Sequence, residues 1–233
     1  MTAAVAVVAL ALSTGAFAQT YMGKIEVKAV KGEAFYSTGP GTPLMPLKSG
    51  TVLGPGATIK TTKGGVVDLF LGRSAGTVRV TEDTTLTFDK FTITDTGADT
   101  VVDTQLNLPE GTIIGNVNKL SAASKYEVKL PNGVAGVRGT EYRMSSTGYI
   151  VVLNGTVIFV YVPPGGQPTP YTLLGPPPVY FSPIEGVRPA PEDLVREVRG
   201  QLGRQSFAPG PPPTAVPFHE PFVSPGTGAK PDR

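Results

Sequence analysis

A chain of 233 residues that contains one histidine and no cysteine has little to do acid–base or nucleophilic chemistry with. Thiol nucleophiles, thiolate metal ligands and disulfides are excluded outright. The histidine, His219, lies between Phe218 and Glu220 in a proline-rich stretch, with no serine or acid arranged around it as a triad would require. A linker residue is expected there. Carboxylates remain, and a pair of them could hydrolyse a glycoside without histidine. Glu82, Asp83, Asp89, Glu110, Glu127 and Glu141 are the candidates, but no spacing singles out two of them, so solvated surface acids are expected. Asp95, Asp99 and Asp103 recur at intervals of four and would offer oxygens to calcium. That run lacks the bidentate glutamate of an EF-hand and supplies few ligands, so a polar turn is expected. Asn154-Gly155-Thr156 has the form of a glycosylation acceptor and reads as a hairpin turn. No cofactor, no metal and no catalytic residue is assigned.

One cation stands out by its neighbours. Arg138 sits between Val137 and Gly139, with Thr140 following, so its side chain leaves a strand end where glycine lets the backbone bend. Two roles fit that setting. The guanidinium fork faces a partner's carboxylate or carbonyl, or it latches onto carbonyls or an acid of a neighbouring strand. The latch is the expected one, because a charged group flanked by Val and Gly belongs inside the fold, paired. The four residues Val137, Arg138, Gly139 and Thr140 are the candidate interaction site.

The elements that must position these residues are mostly strands. Between Met22 and Val162, segments rich in β-branched residues recur every 8–15 residues with Gly, Pro or Asp between them, as in Ile25–Val30, Val66–Leu71, Thr84–Phe91, Lys125–Lys129 and Thr156–Val162. Val78-Arg79-Val80 and Thr85-Leu86-Thr87-Phe88 alternate as half-buried strands do. No stretch there carries a helical period, which disfavours a parallel α/β fold. The fold class is all-β: a single domain at residues 22–162 of about a dozen short strands, as a sandwich, a β-roll or a short β-solenoid. Gly-Thr followed by two β-formers occurs at Gly50, Gly111 and Gly155, a turn glycine releasing the chain into a strand.

Composition changes at both ends. Residues 3–18 carry no charge and read as a Val/Ala/Leu run ending in Gly15-Ala16-Phe17-Ala18, the form of a secretory signal peptide cleaved near residue 18. Membrane contact is expected only if that segment stays uncleaved. After Val162 lie 18 of the 24 prolines, so residues 163–233 read as a proline-rich, mostly irregular extension. Within it, Pro191-Glu192-Asp193 followed by Leu194, Val195, Val198 and Leu202 predicts one short amphipathic helix near residues 191–203 that docks or frays. Twenty Lys and Arg nearly cancel 18 Asp and Glu, so no nucleic-acid partner is expected.

The β region resembles a known family. Leu47-Lys48-Ser49-Gly50-Thr51-Val52-Leu53-Gly54-Pro55-Gly56-Ala57, then Val66–Ser74 and Val78–Val80, look like the opening of a FecR-type domain. Val128-Lys129-Leu130-Pro131-Asn132-Gly133-Val134-Ala135-Gly136-Val137-Arg138-Gly139-Thr140-Glu141-Tyr142 resembles that family's signature, in which a strand ends at Pro and an apolar link leads to Val-Arg-Gly-Thr and a next strand. Val151–Val157 fits its closing hairpin. The resemblance implies a periplasmic or secreted, non-catalytic interaction module of the bacterial envelope, whose partner is an envelope protein or a cell-wall component. Two alternatives stand beside it: a cell-wall glycan or peptidoglycan binder or hydrolase, and a periplasmic signalling component related to FecR regulators of sigma-factor and TonB-receptor systems. The sigma-binding segment of those regulators has no counterpart in this sequence.

Overall fold

A computed structural model describes residues 18–204. The export segment expected at the start, apart from Ala18, and His219 lie outside the described residues. The alternation of apolar and polar side chains becomes, as expected, an all-β fold with one helix. Its strands are β1 (Gln19–Met22), β2 (Ile25–Lys31), β3 (Ala34–Ser37), β4 (Met45–Pro46), β5 (Val52–Leu53), β6 (Thr58–Thr61), β7 (Val66–Phe70), β8 (Thr77–Val80) and β9 (Thr85–Asp95). These are followed by β10 (Thr100–Glu110), β11 (Thr112–Asn116), β12 (Lys125–Leu130), β13 (Gly133–Ser145), β14 (Ile150–Tyr161), β15 (Thr169–Gly175), β16 (Val179–Ser182) and β17 (Gly186–Pro189). The helix is α1 (Glu192–Gly203).

Three long strands organise the sheet, because each is shared along one edge by two shorter partners. β13 pairs with β14 on one side, and on the other with β12 through its first half and β11 through its second. β9 pairs with β10 on one side and with β6 and β1 on the other. β14 likewise carries β15 and β16. From β13 one branch runs through β12, β10 and β9, and the other through β11, β8, β7 and β2. Among the described ladders the two branches never rejoin. The sheet is therefore a curled half-barrel around one core and not a closed barrel.

Inward side chains fill that curl: Leu69, Phe88, Phe91, Leu106, Tyr142 and Phe159 have essentially no exposed surface. Each such side chain contributes roughly 1.5–3 kcal/mol relative to solvent exposure. At Ile150–Leu153 the alternation breaks, and four consecutive residues are buried. Ile150 and Val152 belong to the main core, whereas Val151 and Leu153 join Ile114, Val195 and Val198 in a second cluster. That second cluster lies under α1 on the outer face.

Strand pairing does not end at Val162, where the proline count placed the domain boundary. β15 pairs with β14 along seven residues, β16 pairs with β14 and β17, and Leu173 and Phe181 belong to the core. The ring of Phe181 meets Phe159 edge-on at 5.2 Å and Tyr171 at 4.7 Å. The prolines are tolerated because Pro163, Pro164, Pro176 and Pro177 sit between strands. Pro170 lies within β15, which has one ladder partner.

The predicted helix forms and docks. Pro191 precedes it, Glu192 and Asp193 complement its amino end, and Val195 and Val198 are buried. Its last turn holds no basic residue, the C-cap Arg204 donates Nε to Gly200 O at 2.9 Å, and a second cation comes from the sheet. Arg79 of β8 donates Nη1 to Gln201 O at 2.7 Å and Nη2 to Arg204 O at 2.8 Å. The same guanidinium is held by Asp68, its cross-strand neighbour on β7, through Nε–Oδ1 at 2.6 Å and Nη2–Oδ2 at 2.8 Å. The guanidinium fixed by that bidentate pair thus satisfies two of the orphan carbonyls that a helix end leaves.

Candidate functional site

The Val137–Thr140 segment is not a link between strands. The turn before it is only Pro131–Asn132, and β13 runs from Gly133 to Ser145 without interruption. Midway, the β13–β14 ladder shifts register between Arg138 and Glu141 and again between Glu141 and Tyr142. Gly139 has φ +52°, and Gly155 on the facing strand has φ +86°. A side chain at Gly155 would place its Cβ 2.0 Å from Gly139 O. Two left-handed glycines at one level therefore let the hairpin kink where its backbones come closest. Thr140 secures the kink. Its buried Oγ1 lies 2.8 Å from Arg138 O and 2.9 Å from Thr156 O, and accepts the Thr156 N–H at 3.2 Å.

This placement corrects one reading. Asn154-Gly155-Thr156 lies inside β14, and the turn that joins β13 to β14 is at Ser146–Tyr149, closed by Ser145 N–H to Tyr149 O at 2.9 Å. The repeated Gly-Thr phrase misled because Gly50 and Gly111 do precede strands, whereas Gly155 uses the same backbone freedom for a bulge.

Val137 is buried, and Arg138 points outward and is exposed. Among the described residues its guanidinium makes no hydrogen bond or ion pair, so the expected latch is not there. Alternation with buried Ala135 and Val137 puts Arg138 on the outer face, and no acid among the described residues stands within ion-pair distance. The latch belongs to Arg79, whose outward position is covered by α1. Arg138 separates two shallow grooves. One, about 170 Å³, has Gly136 at its base with Lys125, Glu127 and Ile158 around it. The other, about 520 Å³, is lined by Lys119, Glu141 and Asn154 together with the loop at Asn118.

The acids are scattered. Glu82 and Asp83 lie in the β8–β9 turn, where Glu82 Oε2 accepts the Gly64 N–H at 2.7 Å. Asp89 pairs with Lys129 at 2.9 Å, and Glu110, Glu127 and Glu141 fall on β10, β12 and β13. Asp95 and Asp99 bind backbone N–H groups of their own turn, and Asp103 pairs with Lys90 at 2.5 Å. Among the described residues no group of three or more His, Cys, Asp or Glu is arranged to hold a metal. Beneath the corner, Tyr126 and Tyr142 place their hydroxyls 3.3 Å apart, and burial pushes both phenols above the ordinary tyrosine value. They stay protonated and serve as packing.

The family model described as FecR protein matches residues 57–158. Residues 57–158 form a FecR domain. The matched region runs from the entry of β6 to three residues before the end of β14 and includes the whole corner, whereas β15–β17 and α1 follow it. No curated protein and no solved structure matches the chain. FecR domains are regulatory, non-enzymatic modules of bacterial envelope signalling. No helix among the described residues is long and apolar enough to cross a membrane.

Proposed function

We infer that this protein is an exported, non-catalytic interaction module of the bacterial envelope, which recognises a protein partner through the outer face around Arg138. The carrying observation is the exposed guanidinium, unpaired among the described residues, beside two grooves on a corner that two glycines permit and a buried threonine pins. A fork of donors on a rigid element is suited to a partner's carboxylate or carbonyl. The periplasmic or secreted location rests on the charge-free opening stretch and on the family.

Capture from envelope extracts on the tagged protein, with and without cell-wall sacculi, tests this. The expected result is a defined protein partner lost on Arg138→Ala while the melting curve is kept. Binding to purified sacculi alone would favour the cell-wall glycan reading. Soluble glycan fragments that vanish on acid-to-amide changes at Glu82, Glu110 or Glu141 would overturn the non-catalytic one.

A further inference from the structure

The outer face of the β13–β14 hairpin is divided at the Gly139–Gly155 corner. Beyond the corner, Ile114, Arg143 and Val151 stand side by side on β11, β13 and β14. There α1 packs Val195 and Val198 into one cluster with Ile114, Val151 and Leu153, and Glu197 accepts a hydrogen bond from Arg143 at 3.1 Å. Before the corner, the same strands repeat the chemistry. Val134 faces Val160, Gly136 faces Ile158, and Arg138 faces Thr156, whose neighbour on β15 is Leu174. Val134, Ile158, Val160 and Leu174 are 40, 49, 37 and 60% exposed. Each half thus offers an outward arginine of β13 beside outward aliphatic residues of β14. Among the described residues, only one half has a helix on it.

We propose that the uncovered half is a second helix seat, and that its occupant is an amphipathic helix of a partner protein carrying a carboxylate beside its apolar stripe. Continuity argues for a helix: the adjoining face of the same two strands already holds one. The groove based on Gly136 gives an apolar side chain somewhere to enter, since a Cβ at Gly136 would have only Ile158 O within 4 Å, at 3.8 Å. Charge argues for the carboxylate. Of the groove's three charged residues Arg138 and Lys125 outnumber Glu127, none of them makes an ion pair among the described residues, and the Arg143–Glu197 contact shows how a helix acid meets a β13 arginine here. An aliphatic face rimmed by polar groups marks an interaction site, and helix-in-groove docking supplies the mode. This seat rests on the reading of the chain as an interaction module.

The probe is a synthetic peptide of residues 190–204, the α1 sequence itself, since a seat equivalent to that of α1 must accept the same helix. It is titrated into the full isotope-labelled chain while the amide signals are followed. Saturable shifts are expected at Val134, Ile158 and Val160. Affinity should fall at least about tenfold on Ile158→Glu or Arg138→Glu, and several-fold with the E197Q peptide. Melting curves check that both protein variants stay folded. No shift at about 1 mM peptide, shifts confined to Ile114, Val151 and Leu153, or binding indifferent to both protein variants would overturn the seat. Continued capture of an envelope partner alongside a failed peptide titration would sink the seat and leave the interaction reading intact.

Discussion

Two halves of one hairpin carry similar residues and meet different surroundings. In the half formed by residues 141–145 and 150–154, outward Val151 and Leu153 are buried under α1 and the outward Arg143 is engaged. In the half formed by residues 133–138 and 155–161, outward Val134, Ile158 and Val160 are part-exposed and the Arg138 guanidinium makes no bond among the described residues. The strands do not differ in inward packing, since Val137, Val157 and Phe159 are as buried as Tyr142 and Val152. The difference comes from residues after the matched FecR region, which ends at residue 158. The segment that follows supplies a cover for one half and leaves the other open. On the proposed reading, structural and interaction roles are separated on a single pair of strands.

The largest test removes the cover. A chain ending at Val162 loses β15–β17 and α1, which opens the Phe159–Phe181 contact and bares Val151 and Leu153. Several buried apolar side chains go at roughly 1.5–3 kcal/mol each, against a total stability of about 5–15 kcal/mol. That chain should be unfolded or aggregated at 25 °C by circular dichroism. A chain ending at Pro189 keeps β15–β17 and should fold with a lowered melting temperature. Equal stability of the two would show that the strands after Val162 contribute nothing.

The next test targets the anchor. Arg79→Ala strips Asp68 of its bidentate partner and the α1 carbonyls of their donors, in a setting where both side chains are nearly buried. Breaking a buried pair by removing one partner costs about 3–5 kcal/mol. Chemical denaturation should read a loss of that size. Arg79→Lys should recover only part of it, because one ammonium cannot serve the carboxylate and two carbonyls in the geometry of a fork. A loss under about 0.5 kcal/mol would mean that α1 holds without the anchor. A smaller effect is expected at the corner: Gly155→Ala puts a side chain into a left-handed residue against Gly139 O and should cost about 1–3 kcal/mol.

Much of this was readable in the residues. Alternation located most of the inward side chains of the central strands, and the Pro-Glu-Asp opening with apolar spacing located α1 within a residue or two. Val78-Arg79-Val80 correctly placed Arg79 outward. What alternation cannot say is whether outward means solvent. The clue was present in Ile150–Leu153, four apolar residues in a row where a half-exposed strand would alternate, which together with an amphipathic helix implies a covered outer face. Arg138 misled for the converse reason. Its apolar neighbours suggested burial, but alternation with buried Ala135 and Val137 puts Arg138 on the outside, and the bulge at Gly139 only offsets the next buried residue by one, so that Thr140 turns in. The proline count misled because prolines between strands interrupt a sheet's connections without removing its strands.

The smallest expected change in stability is at Arg138, and it separates the two halves most sharply. Its guanidinium bonds to nothing among the described residues, so Arg138→Ala leaves no donor or acceptor newly unpaired and should stay within about 0.5 kcal/mol of the parent. For a chain of this size that is a melting shift of about 1–2 °C. The same substitution at Arg79 should shift melting several times further, although both arginines point outward from neighbouring regions of one sheet. A drop of several degrees at Arg138 would mean that its fork is engaged within the folded protein after all, and the contrast between a covered and an open half would fail. An unchanged melting curve together with lost partner capture would place the cost of that substitution in recognition and not in folding.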